Sequence, residues 1–600
     1  MTTVWKARSD EKGGLLLERL LASRGIRDTQ EAADFLEPKY EKSHDPLILQ
    51  DMDQAVARIQ KAVSRSEKIT IYADYDADAV TAAAVLLRYF QHINYQNIDY
   101  YIPDRFAEGY GMNTDAVKIL KERGTNLIIT VDCGINAVES VDLANTLGVD
   151  VLITDHHQLT GDIPKAVAVV NPHRSDDLYP FKDLTGVGVA FKLVQALQDV
   201  IASDPELVEG ERGNLTGIAS FAVAPRNDKV ARGWEKWLLD LVAIGTVADC
   251  QSLLGENRIF VKWGLTVLKK TRWIGLKELI KIADIFGRDF NSYHIGFVIA
   301  PRINAAGRIE HANLALELLL TDDVAYASEL AEKLDKLNQH RQQLTESVLS
   351  EAREQMTLSS DKKILLAAGA GWPKGVVGLV AGKLTQEFNR PVLVLEKSEG
   401  EATGSARSIA NFNIIEAISQ SREILLKYGG HPQAAGFTLK TEHIELFHKQ
   451  LLLHADEVLG DDDLSPVLHY DAKIILADID DQLLQSLENF APFGQGNPVP
   501  RFRLNNLRPS YASRIGKDGK HLRFYLGPAS EADGSESQKI GCVGFNLGFW
   551  AEKLLSAGPI DVICEPQYND WNGERKIQLK IIDLSLHPSL SPGEGISLPK

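Results

Sequence analysis

Cysteine is scarce in this chain and long apolar runs are missing, and both shortages narrow what it can be. Only Cys133, Cys250, Cys542 and Cys564 occur in 600 residues, far apart and without a CxxC pair. Thiols so spaced indicate neither a disulfide framework nor a structural zinc site. No apolar stretch approaches the roughly 20 residues that span a bilayer, so no membrane association is expected. The N-terminal MTTVWKARSDEKGG lacks a basic-then-apolar signal layout, which gives a cytoplasmic protein as the expectation. Positive charge is also short: 65 Lys and Arg against 82 Asp and Glu leave a net charge of −17. That balance argues only superficially against a nucleic-acid partner. Binding depends on local patches, and a metal site concentrates acids that its cations neutralise.

What is present is an ordinary soluble composition, 44% hydrophobic and 24% charged, in a length that calls for about three to five domains. Within it, four acidic patches each end an apolar run. They are Asp74-Tyr-Asp76-Ala-Asp78, Asp132 in IITVDCG, Asp155-His156-His157 in VLITDHH, and Asp249 in IGTVADC. Carboxylates held close together repel unless a cation joins them. Oxygen and imidazole donors without a thiolate set suit Mn²⁺ or Mg²⁺ better than zinc. For any one of these Asp residues a helix N-cap or turn is the simpler role, and His156 alone could be a core histidine. Cys133 and Cys250 follow proposed ligands, and Cys133, pointing to the opposite strand face, is read as core.

The order of elements predicts a multidomain α/β protein. Residues 1–50 read as an N-terminal lead-in. Over 51–321, apolar strands such as KITIYA, NLIITV and DVLIT alternate with helices and imply a parallel, doubly wound sheet. Ligands bind beyond the carboxyl ends of such strands, where Asp78, Asp132 and His156 all fall. A Gly-rich charged stretch at 203–236 reads as an insertion. Residues 322–357 have no Gly or Pro and carry apolar residues at three- and four-residue spacing, which predicts a long connecting helix. A smaller α/β domain follows at 358–458, then the acidic linker Gly460–Asp463. Short β segments over 466–588 suggest a small barrel, and 589–600 form a disordered tail.

These residues resemble the DHH phosphoesterase superfamily, named for the triplet present here as Asp155-His156-His157. YIPDRFAEGYGMN, LTGVGVAFKL, IGTVADCQSLLGENR and IAPRINAAGRIE follow in the order of the bacterial RecJ single-strand exonucleases. GWPKGVVGLVAGKL, GSARS and KYGGHPQAAGF are similar to the associated DHHA1 substrate domain, and APFGQGNPVPRF stands where RecJ proteins begin their oligonucleotide-binding (OB-fold) barrel. The resemblance covers roughly residues 45–585. It implies two Mn²⁺ or Mg²⁺ ions held by Asp74, Asp76, Asp78, Asp132, His156 and Asp249, with Asp132 bridging. Two metals about 3.5–4 Å apart clamp a phosphodiester for in-line attack. Asp155 would orient a neighbouring group, and His157 would contact the scissile phosphate or assist the leaving oxygen.

For the substrate, the resemblance implies Arg105, Arg302, Asn304, Arg308, Ser405, Arg407, Gly430 and His431, with 5′-phosphate recognition giving 5′→3′ polarity. Arginine forks suit phosphate oxygens, although any one arginine commonly pairs with an acid instead. Gly429-Gly430-His431 reads as a backbone turn that lets a nucleotide approach, with His431 reaching the phosphate, and a structural turn with a packed histidine is the alternative. The tract RFRLNNLRPSYASRIGKDGKHLRFY sets Arg501, Arg503, Arg508, Arg514, Lys517, Lys520 and Arg523 against the single acid Asp518, interleaved with aromatics including Tyr511. Such a tract tracks a phosphate backbone while rings stack bases, at about 1–3 kcal/mol each. Two departures stand out. Ala79 replaces the family's glycine, a cost of roughly 1 kcal/mol if that glycine has positive φ. Tyr72 stands where some members have a histidine, which Asp74 could replace.

The function expected is a metal-dependent exonuclease degrading single-stranded DNA 5′→3′ to 5′ mononucleotides in recombination and repair. A monomer is expected, working with a helicase and a single-strand-binding protein. A phosphodiesterase for very short or cyclic nucleotides and a non-catalytic repair scaffold are the competing readings. The barrel and connecting helix favour a polymer substrate, and the complete ligand set disfavours the scaffold.

Overall fold

The computed structural model describes residues 3–8, 14–105, 107–109, 111–203, 233–528, 539–571 and 574–586. Nearly all of the expected 203–236 insertion, and the whole 589–600 tail, lie outside these described residues. The chain divides into two compact units, Lys39–Leu464 and Met1–Pro38 with Ser465–Lys600.

In the larger unit, ITIYA and LIITV are apolar or β-branched at every position, the composition of strands covered on both faces. They form Ile69–Ala73 and Leu127–Val131, buried at all five positions. With Ile98–Tyr101, Asp150–Thr154 and Ala168–Val170 they make a wholly parallel sheet, in spatial order 98–101, 69–73, 127–131, 150–154, 168–170. The register sets Ala73 beside Val131 and Val131 beside Thr154. The next residue of each strand is therefore Asp74, Asp132 or Asp155, and three acidic positions share one sheet edge. Helix Ala77–His92 starts there and packs its small residues against helices Gly186–Ser203 and Leu239–Ala248. Gly245 permits that approach, because a Cβ there would collide with Thr81 and stand 2.7 Å from Asp78 Oδ1.

The uninterrupted segment after Asp323, whose side chain caps Tyr326 N–H, forms the 34-residue helix Val324–Thr357. It leads into a second five-stranded sheet, ordered 425–431, 434–440, 401–407, 392–397, 365–370. Helix Lys374–Phe388 covers one face, and residues including Phe437 and Phe447 fill a core on the other side of the unit's second domain.

The smaller unit overturns the expectation of a separate 1–50 lead-in. Val4–Ala7 pairs in parallel with Val467–Tyr470, and Trp5 Nε1 donates to Asp583 at 2.8 Å. Arg24 donates to Leu20 O, Asn497 Oδ1 and Pro498 O, and lies 3.5 Å from the buried Asp471 carboxylate. N-terminal residues thus complete the body built by the C-terminal ones. There Phe502–Ile515 pairs with both His521–Pro528 and Ile560–Trp571, and the order 502–515, 521–528, 540–544, 574–586, 560–571 closes into a barrel. Among the described residues, no helix is long and apolar enough to cross a membrane.

Candidate active site

At the sheet edge the side chains converge. His156 Nε2 lies 3.0 Å from Asp132 Oδ1, 3.8 Å from Asp249 Oδ2 and 3.9 Å from Asp78 Oδ2. Two donor groups result: Asp132, His156 and His157, and Asp78, His156 and Asp249. Asp74 and Asp76 join neither group. Asp76 Oδ1 accepts from Asp78 N and Ala79 N at 2.9 and 3.1 Å, so the simpler N-cap role holds for that oxygen. Asp78 takes Gly186 N and Val187 N at 2.7 and 2.9 Å, which ties the cluster to the start of helix Gly186–Ser203. Asp132 Oδ1, Asp249 Oδ2, Asp74 Oδ1 and His156 Nε2 are buried and lack any hydrogen bond.

Asp155 acts as a bracket. Its Oδ1 accepts from His156 N at 2.7 Å, His157 N at 3.1 Å and His157 Nδ1 at 2.7 Å; its Oδ2 accepts from Ile135 N at 2.9 Å. Tyr72 donates to Gly111 O at 3.0 Å and stacks on Tyr101, filling the core rather than facing the cluster. Ala79 is helical with no positive φ, so the expected strain does not arise. Cys133 is buried in the apolar core.

Electrostatics disfavour charge on the clustered carboxylates in the absence of a cation. Burial and neighbouring carboxylates push Asp78, Asp132 and Asp74 well above the usual carboxylate range. Burial and Asp76 raise Asp249 to about 7. Burial and the adjacent His157 push His156 down to about 3, so its contacts with the carboxylates are not ion pairs. Burial disfavours charge on His157, but the Asp155 carboxylate outweighs it and lifts the imidazole to about 9. Buried oxygens and a neutral imidazole nitrogen, all lacking partners, fit a hard divalent cation.

Beside this cluster stand four half-buried arginines from four elements. Burial, then Arg105, Arg341 and Arg407, push the Arg308 guanidinium down to about 10 against the opposing charge of Asp76. Burial and Arg105 likewise lower Arg407. Arg105 lies over the Tyr75 ring at 4.7 Å and bears on Asp74. Arg407 Nη1 donates to Ser405 Oγ at 3.0 Å, and Gly378 leaves room, since a Cβ there would lie 3.3 Å from Arg407 Nη2. Among the described residues none of the four is in a salt bridge. Like charges gathered without counter-ions form a ready anion socket. Arg341, on the connecting helix, escaped sequence reading because no local motif marks it.

Several of the other expected substrate residues have partners within the fold. Arg302 is held by Asp335 at 2.8 Å and by Val298 O at 2.7 Å, bracing its helix against the connecting helix. Asn304 Oδ1 accepts from Ala77 N at 2.9 Å and so steadies the Asp76–Asp78 turn. Gly430 has φ 149° in strand Leu425–His431, where a Cβ would collide with Ala434 O, and His431 is exposed at that strand's end. In the barrel, the basic tract has more acids than its own sequence shows. Arg501 pairs with Glu565 and Arg503 with Asp561 at 3.0 Å, Arg514 with Glu552 and Lys520 with Asp518 at 3.1 Å. Tyr511 remains 73% exposed, edge-on to Tyr525 and 5.5 Å below Lys539 Nζ.

Family models match this chain as the N-terminal domain of the DHH family over 68–246, the DHHA1 domain over 361–453 and the RecJ OB domain over 470–583. A single-stranded-DNA-specific exonuclease RecJ from Dickeya dadantii (strain 3937) is 32% identical over 94% of this chain and 95% of its own length. The chain belongs to the RecJ family. The RecJ of Bacillus subtilis (strain 168) is 39% identical over 95% of this chain and 68% of its own. The crystal structure of RecJ from Thermus thermophilus in complex with Mn²⁺ superposes with TM-score 0.76 at 28% identity, covering 97% of this chain and 77% of that one. The same protein in complex with Mg²⁺ gives 0.72. Within the RecJ family, then, this chain presents a cation-seeking cluster and an arginine socket side by side.

Proposed function

We propose that this protein is a divalent-metal-dependent exonuclease that hydrolyses single-stranded DNA from the 5′ end and releases 5′ mononucleotides, in DNA recombination and repair. The observation that carries the reading is the contiguity of the two half-sites: Arg105 lies over the ring of Tyr75, between Asp74 and Asp76, and Gly307, next to Arg308, packs on Tyr75 O. A strand end fixed in the arginine socket has its first diester at a constant distance from the acidic cluster.

In this reading Asp132, His156, Asp78 and Asp249 hold two Mn²⁺ or Mg²⁺ ions, with Asp74 and Asp76 closing the set. When bound, such a pair supplies Lewis acidity at the scissile phosphate and activates the attacking water. Arg105, Arg308, Arg341 and Arg407 bind the terminal phosphate, helped by Ser405. Asp155 fixes the His157 ring and holds a proton at Nδ1, and His157 faces the leaving oxygen. Tyr511 and Tyr525 with Lys539 offer the barrel's stacking surface for unpaired bases. A monomer in the cytoplasm, supplied by a helicase and a single-strand-binding protein, completes the reading.

The test mixes protein, Mn²⁺ and 5′-phosphorylated single strands labelled at the 3′ end, beside Asp132→Ala. Progressive shortening from the 5′ end, absent in the variant, is expected. Cleavage restricted to dinucleotides would overturn the polymer substrate, and metal-independent DNA binding without cleavage would point to a scaffold.

A further inference from the structure

Segment Asn291–Ile299 lies outside the cluster and the socket, and nothing above uses its two most conspicuous side chains. Tyr293 and Phe297 are 61% and 71% exposed, and their rings stack at 4.9 Å with an interplanar angle of 23°. Two adjacent aromatic faces turned to water are unfavourable unless something covers them. They stand at the start and within a π-helical turn, His294–Ile299, a wide winding that recurs at functional sites.

The turn is joined to the active site on two sides. Gly296 packs on Val247, two residues before Asp249, with 3.4 Å between Val247 Cγ1 and a Cβ at that glycine. The turn also runs straight into helix Ala300–Ile309, which carries Asn304 and Arg308. Arg288, itself paired with Asp284 at 3.4 Å, is near enough that burial and its charge together hold His294 below its usual imidazole range.

We propose that Tyr293 and Phe297 form a stacking platform for the unpaired bases of a nucleic-acid strand engaged at the neighbouring site. The inference rests on the exonuclease reading and deepens it. Every base has a π-face, so a pair of exposed rings holds a single strand without reading its sequence. A paired base inside a duplex has no free face to offer, so the platform favours single strands over duplex. Continuity with the arginine helix, rather than with any apolar groove, selects an unpaired strand over a protein as the occupant.

The test uses the full chain in EDTA, where binding is read without cleavage. Anisotropy of a labelled 20-nucleotide strand gives Kd, and 2-aminopurine placed along the strand reports stacking by its fluorescence. Tyr293→Leu with Phe297→Leu keeps apolar bulk and removes the rings. Loss of about tenfold in Kd is expected, with 2-aminopurine emission regained at one position along the strand. Phe297→Trp, alone, should retain the affinity and quench more strongly. Unchanged Kd and emission in the leucine pair would overturn the platform while leaving the exonuclease reading intact. Failure of the unaltered protein both to bind single strands in EDTA and to cleave them with Mn²⁺ would overturn both.

Discussion

His156 Nε2 stands 3.0 Å from Asp132 Oδ1, and Asp132 reaches it from a left-handed backbone with φ 58°. Asp tolerates that conformation better than most residues, but it still costs on the order of 1 kcal/mol. The bond from Asp132 N to Thr154 O, at 3.0 Å, keeps it in place. Strain, burial and an unpartnered oxygen thus coincide on one carboxylate.

Asp132→Asn preserves shape and the left-handed turn while removing charge. The metal-free variant should melt no lower than the parent, because buried like-charge repulsion is relieved. Its Tm gain on adding Mn²⁺ should vanish, and activity should fall by more than the roughly 10–100-fold typical of supporting residues. Thermal unfolding with and without Mn²⁺, beside a cleavage assay, checks both.

Gly186→Ala places a Cβ into the Asp132 side chain. Overpacking of this kind costs about 1–3 kcal/mol. A Tm lowered by several degrees and weaker Mn²⁺ binding by calorimetry are expected together, since the same shift disturbs the Gly186 N bond to Asp78.

Arg341→Ala removes one wall of the socket without touching the acidic cluster. Cleavage of 5′-phosphorylated strands should lose about tenfold or more in kcat/KM, in line with charge-assisted bonds of about 1.5–3 kcal/mol. Strands with a 5′-hydroxyl should lose much less. Equal losses on both would sink the socket assignment for Arg341.

Asp240 gives a pH dependence away from the site. Burial raises it to about 6 although Leu241 N and Trp273 Nε1 donate to it. Between about pH 4 and 6 the folded carboxyl keeps a proton that the unfolded chain has released. Its stabilising contribution is therefore full below the unfolded pKa and is lost as pH rises through 6, by about 3 kcal/mol over the span. Asp240→Asn should flatten that slope in urea unfolding followed by tryptophan fluorescence.

Arg24→Ala removes the closer cation from the buried Asp471, which keeps Ser23 Oγ, Arg501 N and a longer contact to Arg8, and leaves Asn497 Oδ1 without its donor. Breaking a buried pair from one side costs about 3–5 kcal/mol. The unfolding transition of the barrel unit should shift down, while that of the Lys39–Leu464 unit stays in place by calorimetry.

Much of the site was legible in the chain itself. A parallel sheet points all its carboxyl ends one way, so apolar runs ending in Asp74, Asp132 and Asp155 had to meet along one edge. The long helix was legible because nothing between 324 and 357 breaks it. What each side chain does there was decided by neighbours distant in sequence. Arg302 found Asp335, and Arg501 and Arg503 found Glu565 and Asp561, partners that lie outside the local motifs. Among the described residues Arg105, Arg308, Arg341 and Arg407 have no salt-bridge partner, and they gather into a socket. Val4–Ala7 found its partner strand more than 460 residues away. Local pattern determines elements and the edge where acids gather, because periodicity and strand direction are short-range properties. Charge pairing and burial depend on which surfaces meet, and only the tertiary structure decides that.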